Sequence, residues 1–482
     1  MFLFYYSLLA LFLVSAKSLN FVCPQTTITN IPINGTIPTG ATTLTNVPAN
    51  NNCTIKFNIP NGYAVKLLIN NSGINGSDAV TVVDTVGKSH QTQPNVTNAV
   101  IWLASGSASM NIRSNSGSLL FYATYQYVSL SKFYQQRFYT GSYFPANLSP
   151  NTVYTISSRS GIEKVAVTIG KRGTMLDSTI DKIYVYDGDN ILNSTMIGRL
   201  SDLIQNKDRF YSSGNSISFV CFYDQGIVRP VSYIIGNDAS AVRGLQKYKV
   251  SVLAQGDKIS SQLATTSLSA YTFICAGCDA LYLDKFSIDN LDSSVGSAEF
   301  RGQTPTRQTD TLIKYESQTF HDHQIPQIIH TSIFTMYVNV STPIFTISTN
   351  PTKWNTPYDK RSGVIISPNK WAPSVSASFS YTFRDDSNMF IFDLFYDKTV
   401  FVTSDSLTVK VGPTNGNTIN NIYTPADPPS GTDSAKGNYM TVALDSASYD
   451  TDVRLHFTMN GSASTFIVIT CLYQLIIFMN IF

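Results

Sequence analysis

The chain has 482 residues, a formal net charge of +2 and only 13% charged residues, against about 25% in ordinary globular domains. With no basic cluster, that balance excludes the electrostatic footprint of a nucleic-acid-binding protein. Abundant Ser, Thr and Asn take over the solubilising role of charge.

At the N-terminus, Phe2 to Val14 is an apolar run of signal-peptide length, too short to span a bilayer. Val14-Ser15-Ala16 sets small residues at a cleavage position, so residues 1–16 read as a signal peptide. Ala16-Lys17-Ser18 is a second cut site, no Lys or Arg precedes the run, and a buried N-terminal strand is the competing reading. Asn-x-Ser/Thr sequons follow at Asn34, Asn52, Asn70, Asn75, Asn95, Asn147, Asn193 and Asn339, with another at Asn460. Behind a signal peptide such motifs are expected on exposed turns, carrying glycans; at Asn147 the nearby Pro150 works against it.

The body is written in period two. Cys53, Ile55, Phe57 and Ile59 alternate with Thr54, Lys56 and Asn58, and the pattern returns at Val165-Val167-Ile169, Phe379-Tyr381-Phe383, Leu407-Val409-Val411 and Met440-Val442-Leu444. Strict alternation predicts strands with one core face and one wet face, as in antiparallel two-sheet sandwiches. Pro60-Asn61-Gly62, Asp187-Gly188 and Asn415-Gly416 punctuate the runs as turns. No segment sustains a helical period, so the fold class is all-β.

A repeat runs through these strands. Asp78-Ala79-Val80-Thr81-Val82-Val83-Asp84 returns as Asp181-Lys182-Ile183-Tyr184-Val185-Tyr186-Asp187 and as Asp405-Ser406-Leu407-Thr408-Val409-Lys410-Val411. The second interval is about twice the first, which predicts a degenerate copy at Asp292 with Phe300-Arg301-Gly302. Four sandwich-sized units fit the length. In the third, the polar stretch 302–327 reads as an irregular insertion or part of a linker.

Six cysteines are present, Cys23, Cys53, Cys221, Cys275, Cys278 and Cys471, the last in the C-terminal tail. Cys23 and Cys53 pair as neighbours in an oxidising compartment. Cys221 competes for Cys275 or Cys278 unless that CxxC closes on itself. No second CxxC accompanies it, which favours a structural disulfide over a zinc half-site. The chain closes on an apolar run from Phe466 to Phe482 with no following charge. A hydrophobic tail behind small residues has the pattern of a GPI-attachment signal, with Asn460-Gly461-Ser462-Ala463 holding the attachment residue, taken as Asn460. Ser446-Ala447-Ser448 would give better spacing but would remove the alternating run Val453, Leu455, Phe457, Met459. A single membrane span is the alternative.

The strand Ile180-Asp181-Lys182-Ile183-Tyr184-Val185-Tyr186-Asp187-Gly188, followed by Ser216-Ile217-Ser218-Phe219-Val220 and Tyr223-Asp224, resembles the CUB domain, most closely the CUB-like family found in nematodes. Ser362-Gly363-Val364-Ile365-Ile366-Ser367-Pro368-Asn369 is similar to that family's glycine-to-Ser-Pro-Asn entry, and Cys23 with Cys53 and the aromatic strand Phe121 to Tyr127 has its layout. A second CUB disulfide has no counterpart. The resemblance implies tandem CUB-like antiparallel β-sandwich (jelly-roll) modules at 17–128, 129–253, 254–349 (degenerate) and 350–460, with 461–482 as GPI signal or anchor. It also implies an extracellular binding or effector protein of the innate immune response at an epithelial surface, outside the plasma membrane, without a catalytic centre. Its partner would be an unidentified protein or glycan.

Many CUB domains hold calcium. Asp181, Asp224 and Asp177 occupy comparable strands, but two or three acids fall short of the six or more oxygens calcium takes, and Asp78, Asp84 and Asp405 have less support. No cofactor is therefore expected. His321-Asp322-His323 with His330 could share a metal only if the first two lay on one strand face, and a polar loop is the simpler reading. Phe133-Tyr134, Phe138-Tyr139 and Tyr143-Phe144 are aromatic pairs that either stack on a ligand or fill the core. Glycine-rich phosphate loops, His-Glu-x-x-His and Gly-x-Ser-x-Gly do not occur. A structural or adhesive coat glycoprotein and a cryptic surface enzyme are the competing functions.

Overall fold

The structure, a computed structural model, describes residues 21–173, 178–205, 207–224, 230–290, 295–413 and 416–461. The N-terminal apolar run, the tail with Cys471, Asp177, Asp292 and Asn415 lie outside these residues. The first strands are β1 (Asn34–Ile37), β2 (Thr45–Asn46), β3 (Asn51–Ile59), β4 (Tyr63–Ser72), β5 (Ala79–Val83), β6 (Ser89–Gln91), β7 (Val96–Leu103), β8 (Gly106–Ser114) and β9 (Leu120–Ser129). They form two facing sheets, β1-β9-β4-β7 with β2 against β9, and β3-β8-β5-β6. Cys53, Ile55, Phe57 and Ile59 point into the core between them while Asn52, Thr54, Lys56 and Asn58 are exposed, as alternation requires.

The same plan returns three times. β10 (Tyr134–Tyr139), β11 (Tyr143–Pro145), β12 (Thr152–Ser157), β13 (Val165–Lys171), β14 (Ile183–Asp187), β15 (Thr195–Arg199), β16 (Phe210–Tyr211), β17 (Ser216–Cys221) and β18 (Ser232–Asp238) give β12-β17-β14-β15 and β11-β18-β13-β16. After β19 (Tyr248–Ala254) come β20 (Lys258–Gln262), β21 (Ser269–Ala276), β22 (Leu281–Asn290), β23 (Ser297–Gly302), β24 (Ile313–Glu316), β25 (Gln327–Ile329), β26 (Ile333–Asn339) and β27 (Ser341–Ser348), arranged β20-β27-β22-β25 and β21-β26-β23-β24. The last set is β28 (Arg361–Ile366), β29 (Phe379–Arg384), β30 (Phe390–Val400), β31 (Ser406–Gly412), β32 (Ile419–Tyr423), β33 (Thr432–Gly437), β34 (Tyr439–Asp445) and β35 (Asp452–Gly461), arranged β28-β35-β30-β33 and β29-β34-β31-β32. The repeat strands β5, β14, β23 and β31 occupy one equivalent position in all four sandwiches. The stretch 302–327 belongs to the third sandwich: it contains β24, and Leu312, Ile313, Tyr315 and Ile325 are buried in its core.

The leading aspartates of the repeat anchor turns. Asp405 Oδ2 accepts the Val402 N–H at 2.8 Å and the Thr451 hydroxyl at 2.6 Å. Asp78 does the same for the Asn75 N–H at 3.4 Å and for the Ser116 hydroxyl. A carboxylate that satisfies buried donors is a turn-former, and these hydrogen bonds hold the Asp78 carboxyl below the usual range despite the opposing pull of burial.

Alternation predicts a wet face on every strand, and in the middle of the chain that expectation fails. β13, β17, β18, β21 and β26 are buried on almost every residue, odd and even alike. Neighbouring sandwiches cover their second face. Between the second and third sandwiches the cause is β19, which runs parallel to β21 along its length and meets β13 at Lys171–Ser251, fusing two sheets into one of nine strands. β10 joins β12 in parallel as well, so the sheets are antiparallel apart from these linker strands.

The third and fourth sandwiches dock without sharing strands. Ile366 and Trp371 enter the third core, Ile328 enters the fourth, and the Gln327 side-chain amide exchanges hydrogen bonds with the Val364 backbone at 2.6 and 3.0 Å. His330 Nδ1 sits 2.5 Å from the Tyr381 hydroxyl in this seam. Burial lowers its pKa from the ordinary 6.5, against a smaller opposing effect of Asp279. Below pH 6.5 the unfolded chain therefore binds a proton that the folded chain resists. The stabilisation is complete above that pH and is lost as pH falls through the depressed folded value. Melting temperature should decline on acidification below pH 6.5, and the decline should be smaller in His330→Gln; an identical profile would remove His330 as its source.

Cys23 and Cys53 are disulfide-bonded, with Cα atoms 5.6 Å apart, tying the N-terminal segment to β3. Cys275, at the end of β21, and Cys278 close on each other. Cys221 is a buried thiol on β17 that donates to the Tyr223 carbonyl at 3.5 Å.

Candidate functional site

Two equivalent hairpins, β5–β6 and β14–β15, face each other where the first and second sandwiches meet. At the end of β5, Asp84 Oδ1 accepts the N–H groups of Val86 and Lys88 at 3.1 and 2.8 Å, which bends the chain back into β6 and sets His90 beside it. On the other side Arg199 pairs with Tyr184 across the β14–β15 ladder, its guanidinium 5.2 Å from the Tyr184 ring centre. Arg199 Nη2 donates to Asp84 Oδ2 and to the Tyr184 hydroxyl at 3.1 Å. His90 Nε2 lies between acid and base, 3.1 Å from Asp84 Oδ2 and 3.0 Å from Arg199 Nη2. Arg199 Nη1 donates to the Asp181 carbonyl at 2.9 Å, and the Asp181 carboxylate meets Lys88 at 3.5 Å.

Burial alone would raise the Asp84 carboxyl, but the His90 contact, the Arg199 charge and the Lys88 N–H together hold it below the usual carboxylate range. Burial pushes the Tyr184 phenol well above its ordinary value. It is therefore a neutral donor at physiological pH, and its hydroxyl donates a hydrogen bond to the Trp102 carbonyl at 2.8 Å. Trp102 stacks on Phe222 at 5.3 Å, and Phe133 and Tyr186 complete the apolar collar around this knot.

Against the knot, on the first sandwich, lies a cleft of about 670 Å³ lined by Lys56 and Asn58 of β3, Ser107 and Ser109 of β8, Asp84, and Thr27 and Thr29 of the N-terminal segment. That segment is laid along β3 in a parallel bridge, Ile28 to Phe57, and the Tyr127 hydroxyl reaches the carbonyls of Ile28 and Asn58 at 2.9 and 3.1 Å. One ammonium, one amide and several hydroxyls beside the apolar Phe57, Val83 and Ala108 suit a ligand that offers hydrogen-bonding groups and an apolar face. The Asp84 carboxylate is committed to Arg199 and His90.

The knot brings together residues that sequence reasoning kept apart. In the sequence Asp84 and Asp181 stand out only as repeat positions and weak calcium candidates, and no motif marks Arg199, His90 or Lys88. The available signal was Tyr184 and Tyr186 at alternate positions of β14, two aromatic rings on a face expected to be wet. Among the described residues no three acidic, histidine or cysteine side chains converge on one point. His321 caps a single helical turn, Asp322–Gln324, and His323 lies within it, so the two do not share a strand face. Of the aromatic pairs, Tyr134 and Tyr139 are exposed, Phe133 and Phe144 are buried, and Phe138 and Tyr143 pack partly against cores. Asn34, Asn52, Asn75, Asn95, Asn193 and Asn339 are exposed, whereas Asn70 and Asn147 are half-buried. Asn460 pairs with Ile391 on the exposed end of β35.

Residues 18–131, the first sandwich, match the family model described as the CUB-like domain. No curated protein is a recognisable relative of the chain. Among solved structures, the CUB1-EGF-CUB2 domain of human MASP-1/3 is similar at 15% identity and a TM-score of 0.18, covering 43% of this chain and 100% of that one. The CUB1-EGF-CUB2 domains of rat MASP-1 align at 12% identity and a TM-score of 0.19, covering 67% and 98%. The extracellular region of zebrafish Gpr126/Adgrg6 aligns at 10% identity and a TM-score of 0.19, covering 68% and 53%. The chain is nearly all-β and built of antiparallel sandwiches, the first of which matches the CUB-like domain.

Proposed function

We propose that the protein is a non-enzymatic extracellular glycoprotein that binds a protein or glycan ligand through the Lys56–Asn58 cleft, as an effector of innate immunity at an epithelial surface. The observation that carries this reading is the cleft itself, which sets Lys56, Asn58 and several hydroxyls around a partly apolar floor and is built on the sandwich that matches the CUB-like model. Five exposed or half-buried sequons surround the same sandwich, in keeping with a secreted chain. The units are divided at 17–128, 129–253, 254–349 and 350–460, between a signal peptide and a C-terminal anchor signal. Attachment at Asn460 is supported by β35, whose Val453, Leu455, Phe457 and Met459 are all buried and would be lost with an earlier cut. Among the described residues no helix is long and apolar enough to cross a membrane.

Lys56 and Asn58 are exposed, so Lys56→Glu with Asn58→Ala should leave folding intact and lower binding to microbial surfaces or a glycan array about tenfold or more, the scale of losing two or three polar contacts. Undiminished binding would sink the cleft as the site. Release from cells by a phosphatidylinositol-specific phospholipase would support the lipid anchor; persistence would favour a span. The second reading, a structural coat, draws on the nine-stranded sheet that fuses the central sandwiches. It predicts indifference to the cleft variant.

A further inference from the structure

β13 and β19 meet at a single pair, Lys171 with Ser251, and the sheet opens beside it. In the opening lies a cleft of about 330 Å³ lined by Thr168, Lys171, Lys207, Asp208, Lys249 and Ser251 among others. Three ammonium groups around so small a space should repel one another unless an anion is shared between them. Among the described residues none of the three is ion-paired. The neighbouring Arg172 is already committed to Asp257, through two bonds of 2.7 and 2.8 Å. Asp208 is the one acid in the lining. A second observation is independent of charge: Thr168 is 2% exposed and its hydroxyl is buried with no hydrogen-bond partner, in the wall of this same cleft. A hydroxyl left so is costly unless something accepts from it.

We infer that this cleft binds a tetrahedral oxyanion ester, sulfate or phosphate, carried on a sugar or polyol. Lysines suit such a group as mobile point charges, and Thr168 and Ser251 supply neutral donors. The cleft is at the small end of ligand pockets, so it takes one charged residue of a longer saccharide rather than a folded partner. The site lies between the second sandwich and the linker strand β19 and is separate from the Lys56–Asn58 cleft, so the two stand or fall independently.

The test is calorimetric titration of the full secreted chain with a heparin hexasaccharide, inositol hexakisphosphate and a hyaluronan hexasaccharide, which carries carboxylates only. The first two should bind, more weakly as salt rises. The tighter of them identifies the ester as sulfate or phosphate. The triple variant Lys171→Gln/Lys207→Gln/Lys249→Gln should lose about tenfold or more in affinity, and Thr168→Val a few-fold. The triple Lys285→Gln/Lys410→Gln/Lys436→Gln, made at exposed sites elsewhere, should lose almost nothing. Equal losses in both triples, undiminished binding in the first, or hyaluronan binding as tightly as heparin would each overturn the assignment. Unchanged melting temperatures establish that the variants are folded.

Discussion

Arg199→Ala is expected to destabilise the junction of the first two sandwiches by about 3–5 kcal/mol, the cost of removing one partner from a buried ion pair. The Arg199 and Asp84 side chains are only 4% and 0% exposed, so solvent does not screen the loss. Alanine leaves the Asp84 carboxylate in a low-dielectric site and opens a void beside Tyr184. The double variant Arg199→Met/Asp84→Leu removes both charges and should cost much less than the sum of the single changes. Hydrogen exchange at β5–β6 and β14–β15, read beside calorimetric unfolding of the full chain, reports the effect where it arises. The pH dependence gives an independent check. In the wild type the depressed Asp84 pKa contributes stability above the unfolded value of 3.8, lost as pH falls through the folded one. In Arg199→Ala burial acts with less opposition and raises that pKa, so the charged carboxylate opposes folding at neutral pH. The unfolded value is common to both proteins, so the gap should begin to narrow as pH falls through the raised folded pKa of the variant and stop narrowing below the depressed one of the wild type. A gap that is constant with pH, or below 1 kcal/mol at neutrality, would show that the pair does not hold the junction.

Gly302→Ala should loosen the third from the fourth sandwich. A Cβ on Gly302 would overlap the Trp371 carbonyl, and its Cα–C backbone beside it, so no side-chain rotation relieves the clash. Gly302 ends β23, the third copy of the repeat strand, and Trp371 is 1% exposed in the third core although it belongs to the fourth sandwich. Overpacking against backbone should cost about 3 kcal/mol. It should also speed proteolysis in the connecting stretch 349–360. Gly214→Ala is the comparison: nothing lies near its Cβ, and its change should stay within about 0.5 kcal/mol. Equal stability of the two variants would mean that the sandwiches are not docked through Trp371.

Much of the fold is legible in the residues. β3, β29, β31 and β34 fall where alternation puts them, with the expected side chains inward, because Cβ atoms in a strand must point to opposite faces. The repeat is legible for the same reason, and even its degenerate third copy, Phe300-Arg301-Gly302, lies on the equivalent strand β23. The candidate site is far less so. Asp84 and Arg199 are 115 residues apart, on hairpins that each satisfy their own local rules. Nothing in either segment announces the other.

A period-two pattern says which face a side chain occupies and is silent about what covers that face. The chain alone determined an all-β repeat, the strands whose alternation is strict, and Asp78, Asp181 and Asp405 at the head of three copies. The tertiary structure decided that Tyr184, Tyr186, Ala166 and Ile274 would be buried by a neighbouring sandwich or sheet rather than wet. It decided that β19 would join two sheets and that an acid, a base and an imidazole would meet in one seam. The reason is physical: alternation is a property of one strand's backbone, whereas docking depends on shape and charge carried by residues a hundred positions away.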